Sequence, residues 1–199
     1  MSGAPFARRA AVAQLLAGRQ DLLVVSGLGA PSYDVAAAGD HARNFYLWGA
    51  MGGACMVGLG LALAQPALPV LVVTGDGEML MGLGGLATVA LRNPGNLTIA
   101  VLDNGLYGET GGQASHTSGP THLPAVARGC GLGDCRDGTD AAGLAALAAR
   151  GHQPGPGRDL RPPGDRSGRP AAHPAAARRR LPEEPPARGP GAAAAVRLG

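Results

Sequence analysis

Residues 70–117 of this chain read VLVVTGDGEMLMGLGGLATVALRNPGNLTIAVLDNGLYGETGGQASHT. The apolar runs at 70–74 and 97–102 are short and rich in branched side chains, a pattern typical of strands buried on both faces. The residues between them predict a helix over residues 78–91, which ends before Pro94 because the residue preceding a proline is disfavoured in helical geometry. The stretch therefore predicts a strand, a helix and a second strand of a parallel sheet.

Each of these two strands ends in a polar, glycine-containing turn, Gly-Asp-Gly at residues 75–77 and Asp-Asn-Gly at residues 103–105. Asp76 and Asn104 should therefore lie at the carboxyl edge of the sheet, where open parallel sheets bind ligands. A carboxylate, an amide oxygen and backbone carbonyls suit Mg²⁺ or Ca²⁺ rather than Zn²⁺. Because the helix start near Glu78 also favours a phosphate, these residues suggest a magnesium–diphosphate site. Ordinary strand-to-loop turns use the same residues, and spacing alone does not separate the two interpretations.

The Gly-Asp-Gly turn, the helix, the strand and Asn104 resemble the diphosphate-binding motif of thiamine diphosphate (ThDP) enzymes. In that family the second part of the motif is usually Asn-Asn, and here its first residue is Asp103. The resemblance implies ThDP and Mg²⁺ as cofactors. It also implies that the metal ligands are the side chains of Asp76 and Asn104 and the backbone carbonyl of Leu106.

The resemblance extends upstream to residues 48–52, WGAMG, which match the segment beneath the aminopyrimidine ring of ThDP. It implies that the carbonyl of Gly49 accepts the ring's amino group and that Met51 wedges the cofactor into a V shape. The remaining cofactor contacts that it implies are Gly75, Asp76, Gly77, Glu78 and Tyr107.

Three longer segments, FYLWGAMGGA, TGDGEMLMGLGGLATVA and DNGLYGETGGQASHT, resemble sulfopyruvate decarboxylase β subunits and the matching half of phosphonopyruvate decarboxylases. The resemblance covers about residues 21–150. It implies decarboxylation of a small-molecule 2-oxo acid, sulfopyruvate or phosphonopyruvate, to an aldehyde and CO₂. Glu109 and His116 are the candidate catalytic residues, with Gln113 between them, and a merely solvated polar loop is the alternative for all three.

In the ThDP family, the glutamate that activates the aminopyrimidine comes from a second domain. No such domain precedes residue 21, and Asp21 is a poor substitute, so we expect a hetero-oligomer in which ThDP lies between this chain and a pyrimidine-domain (α-type) subunit. One alternative is a 2-oxo acid oxidoreductase β subunit, although the scattered Cys55, Cys130 and Cys135 do not match the cysteine ligands expected for an iron–sulfur cluster. Another is a cofactor-binding or scaffold protein without turnover.

The rest of the chain fits an α/β fold with a single open, mostly parallel sheet and helices on both faces. Residues 1–20 are expected to form a helical lead-in and residues 21–150 the ThDP-binding domain. The pattern predicts strands over 22–26 and 44–48, a further short strand near Cys135, and helices over 5–18, 31–38, 50–64, 122–130 and 140–150.

Two other patterns are set aside. Gly27-x-Gly29 follows a strand as in dinucleotide-binding folds, but Ser32 replaces the third glycine, which argues against a nicotinamide site. Residues 47–64 carry no charge and reach the lower limit of membrane-span length, but their glycines and strand-like start favour a buried helix. We therefore expect no membrane insertion.

The composition changes at residue 151. Residues 151–199 contain ten Pro, nine Arg, ten Ala and eight Gly, with four acidic residues and no aromatic one. A basic disordered arm, a plain flexible tail and a shifted reading frame in GC-rich DNA are the three interpretations. We favour the frameshift hypothesis, which would leave the fold incomplete, and we do not expect nucleic-acid binding.

The number of cysteines and the N-terminal sequence indicate the cellular compartment. Three cysteines cannot form a complete disulfide framework, which favours a reducing compartment. The N-terminus lacks the charged-then-apolar pattern of a signal peptide, so we expect a cytoplasmic protein.

Overall fold

A parallel four-stranded sheet forms the centre of the structure, a computed structural model that describes residues 7–138 and 140–154. The strand order is β2-β1-β3-β4, and all three pairings are parallel. The strands are β1 (Leu23–Ser26), β2 (Asn44–Tyr46), β3 (Val70–Gly75) and β4 (Leu97–Leu102).

Seven helices surround the sheet in the described part of the chain. They are α1 (Arg8–Leu16), α2 (Ala30–Ala37), α3 (Ala54–Ala64), α4 (Asp76–Met81), α5 (Gly85–Arg92), α6 (Leu123–Gly129) and α7 (Ala141–Gly151). A separate antiparallel pair, β5 (Leu106–Tyr107) and β6 (Gln113–Ala114), follows β4. This pair adds a second, two-stranded sheet to the single sheet that the sequence predicts.

Alternation along β3 divides the core into two layers. Val70 and Val72 pack in one cluster with α3, α5 and α6. Leu71 and Val73 pack in the other with α1, α2 and α7. Both faces of the sheet are therefore covered, which confirms the predicted α/β architecture with helices on both faces. Helix α1 also contributes Ala11, Val12, Leu15 and Leu16 to the core, so the N-terminal segment packs as part of this unit.

The predicted single helix over residues 78–91 is wrong, because the structure has two helices there. Helix α4 begins at Asp76 itself and ends at Met81, and α5 begins at Gly85. Between them, Gly82 lies so close to the loop before α3 that a Cβ at this position would collide with the carbonyl oxygen of Gly52. The break lets that loop approach the end of α4, a long-range contact that helical periodicity does not report.

Other boundaries shift for local reasons. Helix α3 begins at Ala54 rather than residue 50, because Gly49 (φ 85°), Ala50 (φ 48°) and Gly52 (φ 95°) have left-handed or related backbone conformations. The predicted stop before Pro94 is confirmed, since Asn93 ends α5 in a left-handed conformation.

Two further expectations concern the C-terminal part. Cys135 lies in an irregular segment of the described chain, so the strand expected near it is wrong. The interpretations of the tail fall almost entirely outside the described residues, which end at residue 154. Among the helices of residues 7–138 and 140–154, none has the length and apolar character needed to cross a membrane.

Candidate functional site

The strand order places a crevice between β1 and β3. After β1 the chain adds β2 on one side, and it then returns to add β3 and β4 on the other. Ligands of open parallel sheets bind at such a reversal, outside the carboxyl ends of the strands. A cleft that is open to solvent lies at this reversal. The turns after β1, β3 and β4 all contribute to its lining.

Asp76 is a buried carboxylate of this cleft, with only 2% of its surface exposed. Its Oδ2 accepts hydrogen bonds from the hydroxyls of Ser115 and of Thr117, the latter at 3.1 Å. Among residues 7–138 and 140–154, no hydrogen bond reaches Oδ1. The two hydroxyls therefore orient the carboxylate through one oxygen and leave the other for a ligand.

Asn104 lines the same cleft from the end of β4. Its Oδ1 accepts a hydrogen bond from the Leu106 N–H at 3.0 Å, which closes a turn around the amide. An amide oxygen has two lone pairs, so Oδ1 can still bind a cation. Leu106 also lines the cleft and is 44% exposed. The three predicted metal ligands are thus brought to one cleft.

The chemistry of this donor set fits Mg²⁺. A single carboxylate, an amide oxygen and a backbone carbonyl are hard donors, and Mg²⁺ takes few protein ligands and completes its octahedron with phosphate oxygens and water. No group of three or more His, Cys, Asp or Glu suited to a metal occurs in the part of the chain that the structure describes.

Sequence reasoning missed Ser115 and Thr117. Thr117 Oγ1 lies 2.7 Å from Oδ1 of Asp103 as well as 3.1 Å from Asp76, so it joins the turns after β3 and β4. Asp103 in turn accepts the Gly105 N–H at 3.0 Å, which explains how a carboxylate is accommodated in place of the family's usual amide. The hydroxyls are 39 and 41 positions from Asp76, and no local pattern marks them.

The loop after β1 was also underestimated. Residues 27–32 fail as a nicotinamide fingerprint, yet Leu28, Ala30 and Pro31 line the cleft. Arg8, from α1, lines it as well and forms an ion pair with the fully buried Asp34. Only the strand order brings these segments next to the Gly-Asp-Gly turn.

Glu78 also lines the cleft, but only 5% of its surface is exposed. Its Oε2 accepts the Leu28 N–H at 2.9 Å, and its Oε1 accepts the Ala54 N–H at 3.2 Å. Both carboxylate oxygens are thus engaged by backbone groups of two other segments. The predicted cofactor contact at Glu78 remains a prediction.

The predicted catalytic residues differ in their position relative to the cleft. Glu109 lines the cleft and lies against Gly29, where a Cβ would collide with its carboxylate. His116 contacts the lining through Tyr107, whose hydroxyl is 3.0 Å from its Nδ1. Gln113 hydrogen-bonds to Thr110 within its own loop at 2.9 Å.

The predicted aminopyrimidine segment lies beside the cleft. Met51 lines it and is half-buried. Gly49 is exposed, two residues earlier in the same loop of positive φ angles. Gly75 and Gly77 also line the cleft, and the ring of Tyr107 packs 2.6 Å from where a Cβ of Gly77 would lie. Glycine at residue 77 thus allows the aromatic ring to cover the turn.

Comparison with known proteins identifies the family. The sequence profile described as "Thiamine pyrophosphate enzyme, C-terminal TPP binding domain" matches residues 28–154. The chain belongs to this family. Thiamine pyrophosphate is another name for ThDP, so the family match agrees with the resemblance found in the motif, and it covers the turns after β1, β3 and β4 that line the cleft.

Two individual proteins are similar to this chain in sequence. The chain is 46% identical to the sulfopyruvate decarboxylase subunit beta of Methanocaldococcus jannaschii over 110 residues, which are 55% of this chain and 58% of that protein. It is 50% identical to the phosphonopyruvate decarboxylase of Streptomyces viridochromogenes over 125 residues, which are 62% of this chain and 31% of that enzyme. The chain thus spans less than two thirds of either relative.

A solved structure from Mycobacterium smegmatis, described as thiamin diphosphate-dependent, shares the fold. Its TM-score is 0.66 at 18% identity, and the alignment covers 98% of this chain and 32% of that one. At this identity the likeness supports the architecture alone.

Cys55, the second residue of α3, should be chemically inert. Burial, helped by the negative charge of Glu78, raises the pKa of its thiol to about 12. At pH 8 this lowers the reactive thiolate about a thousandfold relative to an ordinary cysteine. We expect iodoacetamide to modify the half-buried Cys130 and Cys135 while Cys55 stays unmodified, as measured by peptide mass spectrometry. Modification of all three in denaturant is the control, and equal rates in the native protein would contradict the structure.

Proposed function

We propose that this chain is the ThDP- and Mg²⁺-binding subunit of a decarboxylase that acts on a 2-oxo acid, sulfopyruvate or phosphonopyruvate. The observation that carries the proposal is the meeting of Asp76 and Asn104 in one cleft at the tips of the adjacent strands β3 and β4. The family to which the chain belongs supplies the cofactor expected there.

Mg²⁺ would be held by Asp76, Asn104 and the carbonyl of Leu106, and it would neutralise the diphosphate of the cofactor. Ser115 and Thr117 support this role because they fix Oδ2 of Asp76. When bound, ThDP supplies the electron sink for decarboxylation, and the protein contributes position and charge.

The other half of the cofactor would lie along the loop before α3. Met51 would support the bend between the two rings, and the carbonyl of Gly49 would accept a hydrogen bond from the aminopyrimidine. The positive φ angle of Ala50 supports this, because a residue other than glycine persists in such a conformation where surrounding contacts demand it.

Proton transfer would use two groups at the mouth of the cleft. The carboxylate of Glu109 lines the cleft and can hold or deliver a proton at its own oxygens. His116 can exchange a proton with the cleft through the hydroxyl of Tyr107, to which its Nδ1 is hydrogen-bonded.

A partner subunit is part of the proposal. The M. jannaschii relative is named subunit beta, and the S. viridochromogenes enzyme extends well beyond the segment matched here. Trp48 (64% exposed) and Tyr33 (57% exposed) stack edge to face at 5.9 Å, beside the loop of Gly49. Exposed aromatic side chains of this kind are enriched at protein interfaces, so we place the pyrimidine-domain subunit on this side. Cys55, Cys130 and Cys135 carry reduced thiols, which is consistent with a cytoplasmic complex.

Calorimetry followed by a turnover assay tests the proposal. We expect the purified chain to bind ThDP in the presence of Mg²⁺ and to release no CO₂ from sulfopyruvate or phosphonopyruvate. Addition of the pyrimidine-domain subunit should restore CO₂ release. Absence of Mg²⁺-dependent ThDP binding would overturn the cofactor assignment, and turnover without any partner would overturn the assignment as a subunit.

Measurement of aldehyde formation and of electron-acceptor reduction, beside CO₂ release, separates the alternatives. A 2-oxo acid oxidoreductase β subunit would reduce a one-electron acceptor and form no free aldehyde. A scaffold protein would bind ThDP and stay inactive with the partner present.

A further inference from the structure

We propose that Glu78 is a positioning residue that holds two loops lining the cleft in place against the Gly-Asp-Gly turn. The first is the turn after β1, which Glu78 contacts at Leu28. The second is the aminopyrimidine loop, which Glu78 contacts at its end, at Ala54, the first residue of α3. This inference rests on the proposed function, because it assigns the way in which the same site is kept in shape.

The geometry connects three distant segments of the chain through one side chain. Glu78 is in the first turn of α4, and its two oxygens accept N–H groups 50 and 24 positions away. Because each oxygen has a different backbone partner, the carboxylate sets the spacing between the two loops. Its 5% exposure means that little water competes for these hydrogen bonds.

The electrostatics favour a carboxylate in this position. Ala54 is the first residue of α3, so its N–H has no partner within the helix, and an anion near a helix start is stabilised by the helix dipole. Hydrogen bonds from backbone N–H groups to an ionised carboxylate are stronger than those to a neutral acceptor. An amide in the same place would offer one acceptor oxygen and would turn an NH₂ group toward the other N–H.

The carboxylate of Glu78 packs directly against Gly27. A Cβ on Gly27 would collide with Oε2 of Glu78, and it would also lie 2.8 Å from Oγ1 of the buried Thr74. Glycine at residue 27 is therefore needed for space rather than for an unusual φ angle. Glu78 and Gly27 form a matched pair, in which changing either one displaces the same carboxylate.

The consequence is specific to one half of the cofactor. Ala54 follows Gly49 and Met51, so its anchor fixes the end of the aminopyrimidine loop. The metal ligands Asp76 and Asn104 are oriented by other contacts, namely Ser115, Thr117 and Leu106. Loss of the Glu78 contacts should therefore weaken binding of the ring portion more than binding of the diphosphate portion.

The test compares two probes on the full chain by calorimetry, ThDP with Mg²⁺ and inorganic pyrophosphate with Mg²⁺. For Glu78→Gln we expect ThDP affinity to fall about tenfold, the effect of losing one hydrogen bond to a charged group, while pyrophosphate affinity stays within about twofold. Gly27→Ala should have the same pattern. The double variant should bind ThDP no more weakly than either single variant, because both changes disrupt the same contacts of Glu78.

Gly84→Ala is the matched control for the added methyl, because a Cβ there meets nothing within 4 Å, and it should leave both affinities unchanged. If Glu78→Gln does not fold, Gly27→Ala carries the test alone. Equal losses for ThDP and pyrophosphate would assign Glu78 to the diphosphate site and overturn the inference, as would unchanged affinity for both. If the unmodified chain binds neither probe, the proposed function itself fails, a result distinct from these.

Discussion

Asp76→Ala is expected to lower the affinity for ThDP at saturating Mg²⁺ by at least about a hundredfold. Asp76 is the carboxylate among the three proposed Mg²⁺ ligands, and even residues that only orient metal ligands typically contribute 10–100-fold to affinity. Its burial at 2% exposure also means that water cannot easily replace it. Calorimetric titration of the full chain with ThDP at fixed Mg²⁺ measures the effect.

A graded series sharpens this prediction. Thr117→Val keeps the shape of the side chain and removes one hydroxyl that orients Asp76, so we expect an intermediate loss of about tenfold. Asp134→Ala is the control, because its carboxylate bonds to Arg136 at 2.7 Å and it does not line the cleft. If Asp76→Ala retains the affinity of the unmodified chain, Asp76 does not hold the metal and the site assignment is wrong.

Asn96→Asp is expected to destabilise the fold by about 3–5 kcal/mol, the usual effect of an uncompensated buried charge. Asn96 is 4% exposed, and the two hydrogens of its Nδ2 face three carbonyl oxygens, those of Ala62 at 3.2 Å, Gln65 at 2.9 Å and Leu68 at 2.7 Å. A carboxylate would face the same three oxygens with no hydrogen to donate. The free energy of unfolding of a domain is only about 5–15 kcal/mol, so the melting temperature should fall by about 10 °C or more.

Asn44→Asp is the matched control for the change of charge. Oδ1 of Asn44 already accepts a hydrogen bond from Arg19 at 2.6 Å, so a carboxylate there gains a cationic partner, which offsets the loss of the hydrogen bond from Nδ2 to the Tyr46 hydroxyl at 2.9 Å. We expect its effect on the free energy of unfolding to stay within about 1 kcal/mol. Comparable melting temperatures for the two variants in a thermal denaturation scan would contradict the contacts described for Asn96.

The position of Asn96 separates stability from binding. It immediately precedes β4, whereas the cleft lies at the opposite, carboxyl end of the strands. Below its melting temperature, Asn96→Asp should therefore bind ThDP as the unmodified chain does. This is the reverse of the pattern expected for Asp76→Ala, which alters a side chain in the cleft.

Much of the architecture was predictable because buried parallel strands leave a local pattern. Residues 97–102 were predicted and found as a strand, and the strand predicted over 70–74 is one residue longer. Between these strands the sequence predicted a single helix, whereas the structure has two. The break at Gly82 accompanies its close approach to Gly52, which is a contact between distant segments. Periodicity reports burial within a segment and carries no information about which loop lies against it.

The amino-acid sequence by itself determined the strand–turn units, the placement of Asp76 and Asn104 directly after neighbouring strands, and the resemblance to ThDP enzymes. These features depend on residue types and their spacing over short stretches, which can be read from the sequence. Tertiary structure alone decided that Ser115 and Thr117 orient Asp76 and that Glu78 joins Leu28 to Ala54. Those contacts join residues 24 to 50 positions apart, and they form only because the strand order brings the turns after β1, β3 and β4 to one edge of the sheet.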